Sequence, residues 1–338
     1  MNDVDTRTLA ASRAHGLVPA APPIQPIPRW HFAMMNDHRR THALRVAFAA
    51  AGLAGRRVLE IGTGAGLMAT LLVEAGAREV WTCEADPALA AFARDAIRRL
   101  GLADRVHVVC GMSSDLALED LGGERFDVVA GEIVDCGFFG EGILPSFADA
   151  RERFLAPGGR LLPARVRLVG ALLESPHVHA LNHIGPTLPE AFRAFDMFST
   201  RGHFPLRANA HPHAFLCDPK ELLAVDLERA PPRSLRAEAT ATPSRAGLAH
   251  GVLFWFDAPF GGEVGISNDP RTTPTHWHQA VCLFPTPLPV RAGVPVPLSI
   301  RVAGTRVTIL PEAPGADAGC ALDAACDIDA TSDDRRPS

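Results

Sequence analysis

Apolar residues recur at helical spacing from Trp30 to Leu53, which predicts one or two helices at the start of the patterned region. A short strand over Arg57–Ile61 follows and runs into Gly62, Gly64 and Gly66. Beyond the glycines the period alternates: helix over Leu67–Ala75, strand over Glu79–Cys83, helix over Ala88–Leu100 behind Pro87. Strands over Val106–Cys110 and Phe126–Ala130 come next, then a helix over Phe147–Leu155 that stops at Pro157-Gly158-Gly159. Arg160–Leu173 reads as extended. Strands alternating with helices predict an α/β fold built on a right-handed, parallel, doubly wound, Rossmann-like sheet.

The pattern changes near residue 160. Period-two runs at Ala246–Asp257, His278–Phe284 and Val296–Leu310 predict a β-barrel or sandwich. A helix-like insert over about 187–211 interrupts it. Four segments result: an arm over 1–28 with five prolines from Pro19 to Pro28, an α/β domain over 29–160, an all-β domain over 161–311 and an acidic tail over 312–338. Arm and tail carry the composition of disordered chain.

With 338 residues, 47% hydrophobic and 21% charged, the chain has globular composition and enough length for one large or two modest domains. A net charge of -5 supplies no basic field for nucleic acid or an anionic membrane surface. No stretch approaches the ~20 apolar residues of a membrane helix. The expected compartment is the cytoplasm. Seven cysteines without a C-x-x-C pair argue against a disulfide framework and a zinc site, so no metal is expected. Tyrosine is absent and Lys220 is the only lysine. Tyrosine acid–base chemistry is thereby excluded, and a Schiff base would fall on Lys220.

The segment Val58-Leu-Glu-Ile-Gly-Thr-Gly-Ala-Gly66 has the strand–turn–helix context in which glycines let a nucleotide approach the main chain. By itself the glycine run suits NAD, FAD or S-adenosylmethionine. Glu60 ends the strand with a carboxylate suited to the cationic end of a methionine moiety. Glu84 closes the next strand about 20 residues past the glycines, where a carboxylate accepts ribose hydroxyls. With no partner for a dinucleotide phosphate evident, S-adenosylmethionine is the better reading.

After the fourth strand, Glu132 and Glu141 stand nine residues apart in a glycine-rich loop. The carboxyl end of a parallel sheet is where α/β proteins bind ligands. Two carboxylates there can grip one planar guanidinium through paired charge-assisted hydrogen bonds.

At these residues the sequence resembles the protein arginine methyltransferase family. Glu132 and Glu141 match its double-E loop, Thr275-His276-Trp277 its THW loop, and Asp37 with Arg40 its N-terminal helix motif. Cys217-Asp-Pro-Lys-Glu-Leu222 and Leu253-Phe-Trp-Phe-Asp257 extend the match, which covers residues 29–310. The wording Gly-Glu-Gly-Ile-Leu-Pro-Ser146 is closest to the monomethylating type III branch.

The resemblance implies an S-adenosylmethionine-dependent arginine N-methyltransferase with a β-barrel domain, a helical dimerisation arm and a head-to-tail homodimer. It implies that Gly62, Gly64 and the loop to Gly66 hold the methionine portion, that Arg40 pairs with its carboxylate, and that Glu84 binds the ribose. Met112, Ser113 and Ser114 fall at the adenine, Ser114 standing where an acidic residue is common. Glu132 and Glu141 bind the substrate guanidinium, with Met34 and Trp277 beside it. His276 pairs with Asp37 and helps remove a proton. The compact barrel and bacterial-looking composition point to free L-arginine or a small derivative, monomethylated in natural-product biosynthesis. The alternatives are a peptide or protein arginine, or a non-catalytic cofactor-binding scaffold. The missing tyrosines fall where the family places them over the cofactor, and Trp30, His31, Phe32 and Met34 stand there instead.

Overall fold

In a computed structural model the chain is described over residues 27–312, apart from 186, 230–233 and 273–274. All but the innermost residues of the expected N-terminal arm and acidic tail lie outside the described residues. Two short-linked helices open the fold, α1 (Trp30–Met35) and α2 (His38–Ala50). Asp37 separates them because its carboxylate accepts the Arg40 N–H at 2.9 Å and so caps α2.

The parallel sheet contains β1 (Arg57–Ile61), β2 (Glu79–Glu84), β3 (Val106–Cys110), β4 (Phe126–Gly131) and β5 (Leu155–Leu162) in the order β3-β2-β1-β4-β5. Helices α3 (Leu67–Glu74), α4 (Pro87–Arg99) and α5 (Ile143–Arg153) connect its strands. Every residue of β1 is buried, as expected for a central strand covered on both faces. The strand order reverses between β1 and β4, so the loops after these two strands diverge and leave a crevice. Pro157-Gly158-Gly159 falls inside β5, where the pairing with β4 skips between Phe126 and Val128.

The second half is antiparallel. One sheet holds β6 (Arg165–Glu174), β7 (Phe204–Leu206), β8 (Ala214–Phe215), β9 (Lys220–Asp226), β11 (Gly247–Gly261), β12 (Val264–Ser267) and β13 (Gln279–Val290). The other joins β10 (Ser234–Ala241), β14 (Val296–Ala303) and β15 (Arg306–Pro311). Strand β10 packs beside β9 and β15 beside β13, so both sheets close on one core that includes Phe254, Phe256 and Phe284.

One expectation needs correction. The insert over 187–211 is helical only at α6 (Glu190–Arg193) and at 3₁₀ turns over Ala194–Phe198 and Ala208–Ala210. Residues Phe204–Leu206 are a barrel strand paired with β13, because their alternating burial fits a sheet edge. Among the described residues no helix is long and apolar enough to cross a membrane.

Helix α2 joins the two halves by packing across β11 and β12. Contact is close enough that a Cβ on Gly261 would run into the Ala47 carbonyl. The constraint is space, since Gly261 has an ordinary backbone conformation. Gly261→Ala is therefore expected to destabilise the protein by about 1–3 kcal/mol, read as a lowered urea midpoint.

Candidate functional site

A cavity of about 820 Å³ opens at the strand-order reversal, between the carboxyl ends of β1 and β4, helix α1 and the barrel. Met34, Arg40, Gly62, Gly64, Glu84, Met112, Ser113, Glu132, Glu141, His276 and Trp277 all line it. Residues far apart in sequence thus converge on one wall. Four others named from the sequence stand off that wall. Asp37 lies behind His276, Glu60 is fully buried within β1, Gly66 starts α3, and Ser114 is exposed and bonded to Asp115.

On the nucleotide side the glycines act as expected of a close-approach turn. Gly62 has φ +90°, and a Cβ there would come within 2.6 Å of Ile133. Glu84 accepts the Gly64 N–H at 2.8 Å and the Asp86 N–H at 2.9 Å, which ties the glycine turn to the start of α4. Each of its oxygens keeps a second lone pair for a ligand hydroxyl. Gly66 contributes differently, by taking the left-handed φ of +86° from which α3 starts.

Glu60 departs from its expected part. Both its oxygens are buried, and burial, only partly offset by Thr82 and Arg40, pushes its pKa up to about 8. It holds a proton at neutral pH and carries no charge toward the cavity. Arg40 is also buried, and its Nη2 bonds the Oε2 of Glu132 while its Nε has no partner among the described residues. The unpaired Nε and the bare main chain at Gly62 and Gly64 fit a carboxylate-bearing nucleotide at this end.

The loop after β4 carries the two glutamates, and its shape is set by Asp135. That carboxylate accepts the Gly137 N–H at 3.1 Å, the Gly140 N–H at 2.8 Å and the His203 Nε2–H at 2.6 Å. Cβ atoms at Gly137 and Gly140 would strike His203 and Asp135 respectively, so only glycine fits at either position. Phe138 sits at φ +75°, a left-handed conformation that costs a non-glycine residue about 1–2 kcal/mol. Its ring is fully buried and meets Phe139 and Phe256 edge-on, which offsets that cost.

Barrel residues hold the same loop from the other side. Trp277 Nε1 donates to the Val134 carbonyl at 3.2 Å, and Asn268 Nδ2 donates to the Cys136 carbonyl at 2.9 Å. Val307 N–H donates to His203 Nδ1 at 3.1 Å, which fixes the tautomer with hydrogen on Nε2, facing Asp135. Asp135, Cys136 and His203 group their donor atoms closely enough for a metal ion. The one ring lone pair of His203, on Nδ1, is nevertheless committed to Val307 N–H, and burial raises the Cys136 thiol pKa. The cluster acts as a hydrogen-bonded clamp. Asp135, His203 and Asn268 were not singled out from the sequence, and only the glycines around Asp135 hinted at a tight loop.

Protonation states follow from these surroundings. Glu141 reaches solvent through the cavity, yet desolvation by the surrounding protein, with Glu132 and Asp135 as like charges beside it, pushes its pKa up to about 7. Asp37 is buried, a cost outweighed by N–H donors from Arg40 and His276, so its pKa lies below the ordinary value. His276 donates its backbone N–H to Asp37 at 2.7 Å and its Nδ1–H at 3.0 Å. Burial holds the His276 pKa below its usual value despite that partner, so the ring is neutral with a free Nε2 lone pair. Over the nucleotide side Trp30 and His31 stack at 3.7 Å in place of tyrosine.

The clamp makes a testable claim. His203→Ala removes a buried partner from Asp135 and leaves Val307 N–H unpaired. Turnover is expected to drop by as much as about a hundredfold through displaced glutamates, with nucleotide affinity by calorimetry little changed.

Two family models and several known proteins match this chain. A family model described as a methyltransferase domain matches residues 58–159, and one described as the arginine methyltransferase oligomerization subdomain matches 190–309. An arginine N(omega)-methyltransferase of Streptomyces achromogenes subsp. streptozoticus is 40% identical over 268 residues, covering 79% of this chain and 74% of the relative. Mouse protein arginine N-methyltransferase 9 is 26% identical over 291 residues, covering 75% of this chain but only 34% of that protein. Among solved structures, the Trypanosoma brucei PRMT1 enzyme–prozyme complex with AdoHcy superposes with a TM-score of 0.70 at 19% identity, covering 83% of this chain and 93% of its own. A crystal structure of PRMT6 gives 0.65 at 19% identity, covering 84% and 98%. With the glycine turn, the double-E loop and the THW histidine gathered around one cavity, the chain belongs to the protein arginine methyltransferase family and is an S-adenosylmethionine-dependent arginine N-methyltransferase.

Proposed function

We propose that the substrate is free L-arginine or a small arginine derivative, converted to Nω-monomethyl-arginine in natural-product biosynthesis. The observation that carries this reading is the convergence of Glu132 and Glu141 on a cavity whose lining holds five carboxylates and two guanidiniums. Such a surface favours a cation. The relative at 40% identity is named for arginine, whereas the mouse relative is named for protein arginine, which supports the small substrate.

The residues present fit S-adenosylmethionine at the glycine end. Gly62 and Gly64 would receive the methionine portion, Arg40 its carboxylate, Glu84 the ribose, and Met112 and Ser113 the adenine. When bound, the cofactor supplies an electrophilic methyl group on a sulfonium. A guanidinium is a poor nucleophile because its lone pairs are delocalised and its pKa exceeds about 12. Arg40 holds Oε2 of Glu132 and no bond to its Oε1 is made among the described residues, so it would accept from one substrate nitrogen as Glu141 accepts from another. Their charges draw the positive charge toward those nitrogens and orient the third. His276, neutral and held by Asp37, is placed to take the proton that the new N–C bond releases.

Four exposed side chains on the insert, Phe192, Phe195, Met197 and Phe198, are each 60–70% accessible. Apolar exposure on that scale marks an interaction surface, and we assign it to a homodimer built through the arm. Phe195→Ser with Phe198→Ser is expected to halve the sedimenting mass.

Transfer of label from S-adenosylmethionine to L-arginine or to an Arg/Gly-rich peptide tests the substrate. Label in L-arginine is expected, and label in the peptide alone overturns the reading. Because Glu141 must be ionised to hold a guanidinium, kcat/KM should rise with pH and level off above about 7.

A further inference from the structure

The cavity lining contains two guanidiniums, and they are not equivalent. Arg40 is buried and bonded to Glu132 at the nucleotide end. Arg207 stands on the barrel side, just past the end of β7. Along this edge burial alternates, with Leu206 and Ala208 buried and Pro205 and Arg207 exposed, so the strand turns Pro205 and Arg207 together to the open face. Both line the cavity.

Arg207 has no carboxylate partner among the described residues, although five carboxylates line the same cavity. Its one hydrogen bond runs from Nη2 to His278 Nε2 at 3.4 Å, which is long and weak. Burial, and then Arg207 itself, hold the His278 pKa below its usual value, so the ring is a neutral neighbour that does not discharge the guanidinium. An unpaired guanidinium on a cavity wall is a vacancy for an anion.

The chain around Arg207 is joined to the double-E loop. Asn268 Nδ2 donates to the His278 carbonyl at 2.6 Å and to the Cys136 carbonyl of the double-E loop at 2.9 Å. The strand carrying His203, which clamps that loop through Asp135, continues into Arg207. These hydrogen bonds tie the backbone beside Arg207 to the loop that carries Glu132 and Glu141.

We infer that Arg207 binds the α-carboxylate of an amino-acid substrate, so that the cavity matches a zwitterionic side of arginine as well as its guanidinium. The cofactor and the substrate each bring one carboxylate, and the cavity provides one arginine for each. A peptide-bound arginine has no carboxylate to place on Arg207. The inference deepens the free-arginine reading above and rests on it.

Agmatine, which is arginine without its carboxylate, isolates the contact. Wild-type enzyme is expected to favour L-arginine over agmatine by about tenfold or more in kcat/KM, the worth of one charge-assisted pair. Arg207→Gln should raise KM for L-arginine by a similar factor at nearly constant kcat and leave agmatine within about twofold, so that the preference disappears. Arg207→Lys, which keeps the charge, should retain most of it. Agmatine turnover reports that the variants fold. A uniform loss on both substrates, or an undiminished preference in Arg207→Gln, overturns the assignment while the free-arginine reading stands. Methylation of an Arg/Gly-rich peptide with neither small molecule accepted overturns both.

Discussion

The site depends on holding a loop that carries three carboxylates in one shape. Glu132, Asp135 and Glu141 lie within one short stretch of chain, and the Glu141 pKa is raised first by burial and then by the like charges of Glu132 and Asp135. The loop persists because its polar groups are satisfied from both sides. Asp135 collects three N–H donors, and the barrel supplies Trp277 and Asn268 to the loop carbonyls. Burial of Phe138 and Phe139 closes the remaining face. The glutamates emerge from a parallel sheet, yet their placement is decided by the antiparallel half.

A second tether runs the other way. Asp37 caps α2 and also accepts both N–H groups of His276, so one carboxylate ends a helix and holds the barrel's THW loop. Burial then separates groups that bear charge from groups that do not. Asp37 is stabilised as an anion, His276 is kept neutral, and Glu60 is kept protonated. Negative charge is thereby concentrated at the cavity wall, where a cation can use it, and withheld from the strand beneath.

Much of this was legible in the residues alone. The glycine turn, Glu84, the paired glutamates and Thr275-His276-Trp277 each sit in a local pattern whose chemistry can be argued without coordinates. Local pattern misjudged other positions. Glu60 ends its strand like an exposed acid, but alternation turns its side chain into the sheet's packed face, where water cannot reach it. Ser114 sits beside Met112 and Ser113 in sequence, while the 3₁₀ turn over Ser113–Asp115 rotates it to solvent. The segment Phe204–Leu206 follows an apolar insert and reads as part of it, yet pairing with β13 makes it barrel.

What the sequence determined by itself is the chemistry on offer: a family, a nucleotide turn, two carboxylates for a guanidinium, and no tyrosine to work beside them. Trp30 and His31, stacked on each other, line the cavity instead. Which groups cooperate was decided only by the tertiary structure. His203 lies 68 residues from Asp135, Asn268 lies 132 residues from Cys136, and Arg207 has no motif around it. Their roles come from donor geometry and from a charge left unpaired. Those are properties of positions in space, and a strand register must exist before either can be read.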